Sequence, residues 1–177
     1  MKKAKIINLF GAPCAGKSVT RAGLFYLMKH NGYLIEETNE YAKDVVFEKR
    51  NDLLKNQNYI FAKQEQKLIR LSEMDYIVTD CPLLLSSYYA KLIPNFSSFF
   101  APFVLDTFNS YDNINFFLKR VGPYVHHGRY QTEEESDQVA IELEEFLKDH
   151  NCPYISIDGN LDAPYKIMEI IKNLDNN

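Results

Sequence analysis

Residues 4–18 read AKIINLFGAPCAGKS. Ala4–Phe10 is a short apolar run with β-branched residues that stops at Gly11, the pattern of a buried strand. From Lys17 onward, Leu24, Leu27 and Met28 recur at helical spacing and Gly32 follows, which predicts a helix over Lys17–Asn31. Between them, Gly11-Ala12-Pro13-Cys14-Ala15-Gly16-Lys17-Ser18 fits G-x-x-x-x-G-K-[ST] in the strand–loop–helix setting that makes the pattern credible. The glycines let the backbone aim N–H groups inward around phosphate, and the helix start adds positive partial charge. Lys17 is expected to reach the outer phosphates of a nucleotide and Ser18 to bind Mg²⁺. Ala12, Pro13, Cys14, Ala15 and Val19 would complete the nucleotide contact.

The 177 residues suffice for one α/β domain with a core and are few for two, so a single unit over 1–177 is expected. The net charge of -4 argues against a generally basic nucleic-acid surface but leaves room for a local groove. Cys14, Cys81 and Cys152 are odd in number and widely spaced, which speaks against a disulfide framework or a zinc site and fits a reduced, cytoplasmic setting. The apolar run within MKKAKIINLF is too short for a signal peptide. No run approaches the roughly 18 apolar residues of a membrane span, so no membrane partner is expected.

Further strands are predicted at Tyr33–Glu36, Asp75–Asp80, Asn113–Leu118 and Pro153–Ile157. Helices are predicted from Thr38 or Asn39 to Glu48, over Asn58–Ser72 and Leu83–Leu92, and from Ser97 or Ser98 to Asn109. Two more follow, one from a Thr132/Glu135 capping box to Asp149 and one capped by Asp162. Five strands alternating with helices imply an α/β fold with a mostly parallel sheet covered on both faces. Ligands in such folds bind beyond the carboxyl ends of the strands.

Four segments follow such ends. Asp80 closes the apolar strand Tyr76-Ile77-Val78-Thr79, which suits a Mg²⁺-holding carboxylate beside the phosphate loop. Glu36, Glu37 and Glu40 follow the second strand, and one of them could accept the proton of an acceptor hydroxyl. Glu37 is preferred and Glu40 is next, with Tyr41 beside it as a substrate contact. Tyr59, Phe61 and Gln64 lie on one predicted helix and could stack on and read a base; they read equally as core and surface. Residues 119–131 carry Gly122, Pro123 and Gly128 with Arg120 and Arg129, the composition of a lid that brings Arg to a transferring phosphoryl group. His126 and His127 are adjacent and make no metal site by spacing.

GAPCAGKS, EETNEYAKD, the Gln-containing helix, YIVTDCPLLLS and the GRYQTEEE junction together resemble the NadR-like AAA-type P-loop kinase domain. That group includes nicotinamide riboside kinase domains and phage relatives, some acting on 5-hydroxymethyluracil in DNA. The resemblance covers nearly the whole chain. It implies a P-loop NTPase with strand order 2-3-1-4-5 and ATP-dependent kinase activity. It implies phosphate binding at Gly11, Gly16, Lys17 and Ser18, metal binding at Asp80, lid roles for Arg120 and Arg129, and a loop of Asp158, Gly159 and Asn160 against the adenine. No adenylyltransferase motif precedes the phosphate loop, so a bifunctional NAD-biosynthesis protein is not expected. The aromatic-rich stretch 93–111 lies outside the family pattern.

The expected activity is Mg-ATP-dependent transfer of the γ-phosphate to a hydroxyl of a nucleoside, nucleotide or related small molecule. A 5-hydroxymethylpyrimidine DNA kinase is one alternative, with modified DNA as partner and Lys43, Lys49, Arg50, Lys55 and Lys63 lining a basic groove. A nucleotide-binding switch is another, marked by a pocket closed by Phe99 and Phe103. A nucleotide-acceptor kinase would draw on Arg50 and Arg70. A homodimer is compatible with each.

Overall fold

The computed structural model describes residues 4–125 and 132–176. Its strands are β1 (Lys5–Phe10), β2 (Ile35–Thr38), β3 (Tyr76–Thr79), β4 (Asp112–Lys119) and β5 (Ile155–Asp158). Its helices are α1 (Lys17–His30), α2 (Tyr41–Phe47), α3 (Gln57–Ile69), α4 (Leu85–Lys91), α5 (Phe100–Asn109), α6 (Glu133–Asp149) and α7 (Ala163–Asp175), with a 3₁₀ turn at Asn51–Lys55. The strands form one sheet in the order β2-β3-β1-β4-β5. Every neighbouring pair is parallel, so the sheet is wholly rather than mostly parallel.

Strand residues alternate between two cores, as a period of two requires. Ile6, Phe10, Ile77 and Phe117 join residues of α3 to α6, including Phe61, Leu84, Val104 and Phe146. Ile7, Leu9, Val78, Phe116 and Leu118 pack with Leu24 and Met28 of α1 and Ile167 and Ile171 of α7. Both faces being covered explains why β1 and β3 read as continuous apolar runs.

One polar ladder crosses the sheet. Asn8 of β1 lies opposite Asn115 of β4. Its side-chain amide donates to Oδ1 of Asn113 at 2.8 Å and of Asn115 at 2.9 Å. Asn113 donates in turn to the carbonyl of Phe108 at 2.6 Å, and Asn115 to that of Pro153 at 3.0 Å. Buried amides are tolerated only when bonded in this way.

Helix starts separate local from tertiary control. The capping box at α6 is complete: Glu135 N donates to Thr132 Oγ1 at 3.2 Å, and Thr132 N to Glu135 Oε2 at 2.8 Å. Such a cap stabilises by about 1 kcal/mol. Elsewhere the expected caps are replaced. Asn56 caps α3, accepting from Tyr59 N at 3.1 Å. Glu40 precedes α2 and Phe99 precedes α5, neither with a side-chain cap bond. Asp162 precedes α7 without capping it; its own N–H donates to Asn160 Oδ1 at 3.0 Å. β2 starts two residues later than predicted, because the chain is still turning: Tyr33 N donates to Met28 O, and Ile35 N to Tyr33 O. Among the described residues no helix is long and apolar enough to cross a membrane.

Candidate functional site

The phosphate-loop segment leaves β1 and is braced from three other parts of the chain. Gly11 has φ 141°, and a Cβ there would lie 2.6 Å from the Leu118 carbonyl oxygen at the end of β4. A Cβ on Gly159, after β5, would lie 2.0 Å from the Ala15 carbonyl oxygen. Gly159 N donates to Lys119 O at 2.8 Å, so the loop, β4 and the turn after β5 interlock. From α6, the buried Ser136 hydroxyl donates to Pro13 O at 2.8 Å. Lys17 folds back over the loop, its ammonium donating to the carbonyls of Gly11 at 2.7 Å and Ala12 at 2.9 Å. Cys14 takes the left-handed region with φ 63°, and its sulfur meets Val125, accepting from N–H at 3.3 Å. Val19 is largely exposed on the first turn of α1.

Beside the loop, Asp80 ends β3 and is only 3% exposed. Its carboxylate is held by Arg21 of α1, whose Nη1 donates to Oδ1 at 2.9 Å. The same guanidinium donates through Nε to Glu37 Oε2 at 3.0 Å and reaches Thr38 O at 3.4 Å. Glu36 pairs with Lys29 at 2.6 Å. Glu37, the preferred proton acceptor, thus faces α1 as the partner of Arg21, and β2 runs on past it to Thr38.

Glu40 lies just past the strand, immediately before α2. Burial pushes its carboxyl above the usual carboxylate range; the nearby Lys17 charge opposes that rise, and Asp80 adds to it. Lys43 and Asp44 of α2 act on it more weakly, with opposite signs. Burial also raises the Cys81 thiol and the Tyr89 phenol, and each feels the charge of Glu40. Lys17, Glu40, Asp80, Cys81 and Tyr89 thus share one electrostatic environment beyond the ends of β1 and β3.

The aromatic and amide residues of α3 divide between the readings the sequence left open. Phe61 is 2% exposed and packs edge-on against Phe100 and Phe103, so it is core rather than a stacking surface. Tyr59 shares a hydroxyl contact of 3.1 Å with Tyr41. Gln64 is 1% exposed and bonded to Asn39, Tyr41 and Thr79, not open to a base. Phe99 is exposed, and Phe103 is half-exposed against Phe61, so neither closes a pocket of its own.

Arg120 leaves β4 but turns to α6, where its two terminal nitrogens donate to Glu133 and Asp137 at 2.5 Å each. In this conformation the guanidinium therefore faces α6 and not the phosphate loop. Its Nε is buried with no partner among the described residues. Arg129, with the two histidines, lies outside the described residues. Asp158 and Asn160 are exposed at the turn braced against Ala15. A cleft of about 260 Å³ separates Ala12 and Ala15 from Arg120, Ser136 and Asp137.

Ser18 and Asp80 offer hard oxygen donors of the kind Mg²⁺ takes, and such sites complete their shell with nucleotide phosphate and water. Among the described residues no group of three or more His, Cys, Asp or Glu side chains is placed to hold a metal without such help. The residues therefore fit a nucleotide-borne Mg²⁺. Sequence reasoning missed Arg21, although a charge three residues before the buried Leu24, at the edge of the stripe of α1, was a visible signal. Tyr89 and Ser136 carried no local signal, because only tertiary packing brings them to the site.

A family model described as an AAA domain matches residues 6–163. Among solved structures, the chain is similar to deoxyadenosine kinase from M. mycoides with bound dATP, at a TM-score of 0.59 and 21% identity over 96% of this chain and 99% of that one. The same kinase with bound dCTP gives a TM-score of 0.57 and 22% identity over 97% and 100%. No curated protein matches the sequence. At these identities the likeness speaks for the fold. The family match itself runs from β1 through the phosphate loop, the acidic loop and Asp80 to the start of α7. The chain belongs to the AAA domain family and has a P-loop NTPase fold.

Proposed function

We propose that this protein is a kinase that passes the γ-phosphate of ATP to a hydroxyl of a nucleoside-like acceptor. Glu40 is the proposed proton acceptor. One observation carries this reading: Glu40 is the carboxylate of the acidic loop that feels both Lys17 and Asp80, while Glu36 and Glu37 are held by Lys29 and Arg21. The nucleotide phosphates would lie against the N–H groups of residues 12–18, with Lys17 released from Gly11 and Ala12 to the outer phosphates. Ser18 and Asp80 would hold Mg²⁺, which when bound neutralises charge on the phosphates. Glu40 would orient the acceptor hydroxyl and take its proton as the acceptor oxygen bonds to the γ-phosphorus and the bond to the β,γ-bridging oxygen breaks, releasing ADP. A carboxyl raised toward neutrality is a better base than an ordinary one.

The acceptor would enter between the acidic loop and α4, where Tyr89 and Cys81 accompany Glu40. The fold of the M. mycoides deoxyadenosine kinase supports a nucleoside as acceptor, and the motif resemblance to NadR-like domains supports a sugar hydroxyl. Arg120 would exchange its α6 carboxylates for phosphate. Transfer of labelled γ-phosphate with Mg²⁺ tests the reading. The acceptors are deoxynucleosides, nicotinamide riboside, nucleoside monophosphates, and DNA with and without 5-hydroxymethyluracil. Label on a free nucleoside is expected. Label on modified DNA alone would replace the acceptor, and nucleotide binding with no transfer would replace the kinase by a switch.

A further inference from the structure

Gln64 of α3 read equally as a base contact and as a surface residue, and its bonds make it neither. Oε1 accepts from the backbone N–H of Tyr41 at 3.2 Å. Nε2 donates to the carbonyl of Asn39 at 3.3 Å and to Thr79 Oγ1 at 3.4 Å. The Thr79 hydroxyl also accepts from Cys81 N at 3.2 Å. One turn along α3, Lys67 donates to Asn39 O at 2.9 Å and Asn39 Oδ1 at 2.7 Å. The residues on both sides of Glu40 are thus tied to one buried amide. Through Thr79, the same amide is tied to the residues on both sides of Asp80.

A buried primary amide is unfavourable unless its donors and acceptor are used, and an aliphatic side chain would pack here at lower cost. What the amide adds is geometry. It couples the end of β3 to a loop that no strand pairing holds, because β2 ends at Thr38 and α2 begins at Tyr41. Both amide donors are in use, leaving no free N–H edge for a base.

We propose that Gln64 is a positioning residue for phosphoryl transfer: through Asn39, Tyr41 and Thr79 it fixes Glu40 relative to Asp80, without touching the acceptor. The proposal rests on Glu40 as the proton acceptor. Misplacement of a reacting group by about 1 Å can cost on the order of 100-fold in rate. Loss of the clamp therefore acts on turnover and not on acceptor affinity.

The test is initial-rate kinetics with labelled ATP and deoxyadenosine, deoxycytidine, thymidine and nicotinamide riboside, for the wild type, Gln64→Leu and Thr79→Val. Gln64→Leu is expected to lower kcat by roughly 10- to 100-fold, with acceptor KM within about twofold and the order of preference among bases unchanged. Thr79→Val keeps the bonds of Gln64 to Asn39 and Tyr41, removes the link to β3 together with the acceptor of Cys81 N, and is expected to lower kcat less, again at constant acceptor KM. It carries the test alone if Gln64→Leu does not fold, as judged by circular dichroism. Raised acceptor KM with altered base preference and intact kcat would overturn the proposal and make Gln64 a base reader. Unchanged kinetics in both variants would overturn it too. A wild type that transfers to none of these acceptors would overturn the kinase reading along with it, which sets that failure apart from the others.

Discussion

Nη1 of Arg21 lies 2.9 Å from Oδ1 of Asp80, inside a site where the aspartate is only 3% exposed. The same guanidinium reaches Glu37 on the edge strand, so α1, β2 and β3 are joined through one side chain. A buried carboxylate that loses its cation is left uncompensated. Arg21→Met is therefore expected to destabilise the protein by roughly 3 kcal/mol, within the range for breaking a buried pair. At this chain length that lowers Tm by about 6–12 °C, measurable by calorimetry. Glu37→Gln, at the more exposed end, is expected to cost about 1 kcal/mol or less and to leave transfer largely intact. Loss of transfer in Glu37→Gln at unchanged ATP affinity would return the proton-acceptor role to Glu37.

Glu40→Gln separates stability from activity. Burial raises the Glu40 carboxyl above its ordinary pKa, so between the ordinary value and the raised one the folded state holds a proton that the unfolded chain has released. Stability then falls as pH rises through that window. The neutral amide escapes this penalty. Glu40→Gln is expected to be more stable than the wild type at neutral pH, with the advantage vanishing below the ordinary carboxylate range. Its turnover is expected to fall by about 100- to 10,000-fold with little change in ATP affinity. Denaturant melts at several pH values and steady-state kinetics check the two halves independently.

Lys17→Ala removes the one cationic side chain of residues 11–18. Loss of a donor of this kind is expected to lower turnover by about 100- to 1,000-fold. Full activity in that variant, in the labelled-phosphate assay, would sink the assignment of the loop. The variant's Tm, measured alongside, reports whether the fold survives loss of the bonds to the Gly11 and Ala12 carbonyls.

Gly159→Ala should behave as a lesion of a loop that lies more than a hundred residues away in sequence. The new methyl would meet the Ala15 carbonyl oxygen, with the Lys119 carbonyl also close at 3.1 Å. Backbone on both sides must shift, which costs about 1–3 kcal/mol. Weaker ATP binding by calorimetry is expected together with a lower Tm. A drop in Tm with unchanged ATP affinity would mean that the loop absorbs the strain elsewhere.

Much of this was legible where local chemistry decides. The motif from Gly11 to Ser18 and the capping box at Thr132 depend on neighbours within a few residues, and both stand where the sequence put them. Alternation of strands and helices was enough to expect a parallel sheet. The pairing of Glu37 with α1 was not legible. Ending β2 at Glu36 or at Thr38 changes which side chain reaches Arg21, and that end is set by the turn through Tyr33 and by pairing with β3. Phe61 and Gln64 were ambiguous for a related reason. Their burial depends on α5, whose Phe100 and Phe103 close over Phe61, and on the loop that Gln64 holds.

The asparagine ladder bears on the phosphate loop from a distance. That loop hangs from the end of β1, so sliding β1 along β4 by one residue would move its anchor by about 3.3 Å. Such a slide would set Asn8 opposite Ile114 or Phe116 and leave its amide stranded among hydrocarbon. Asn8, Asn113 and Asn115 therefore act as a vernier, admitting one longitudinal setting of the central strand and with it one projection of the loop beyond the sheet.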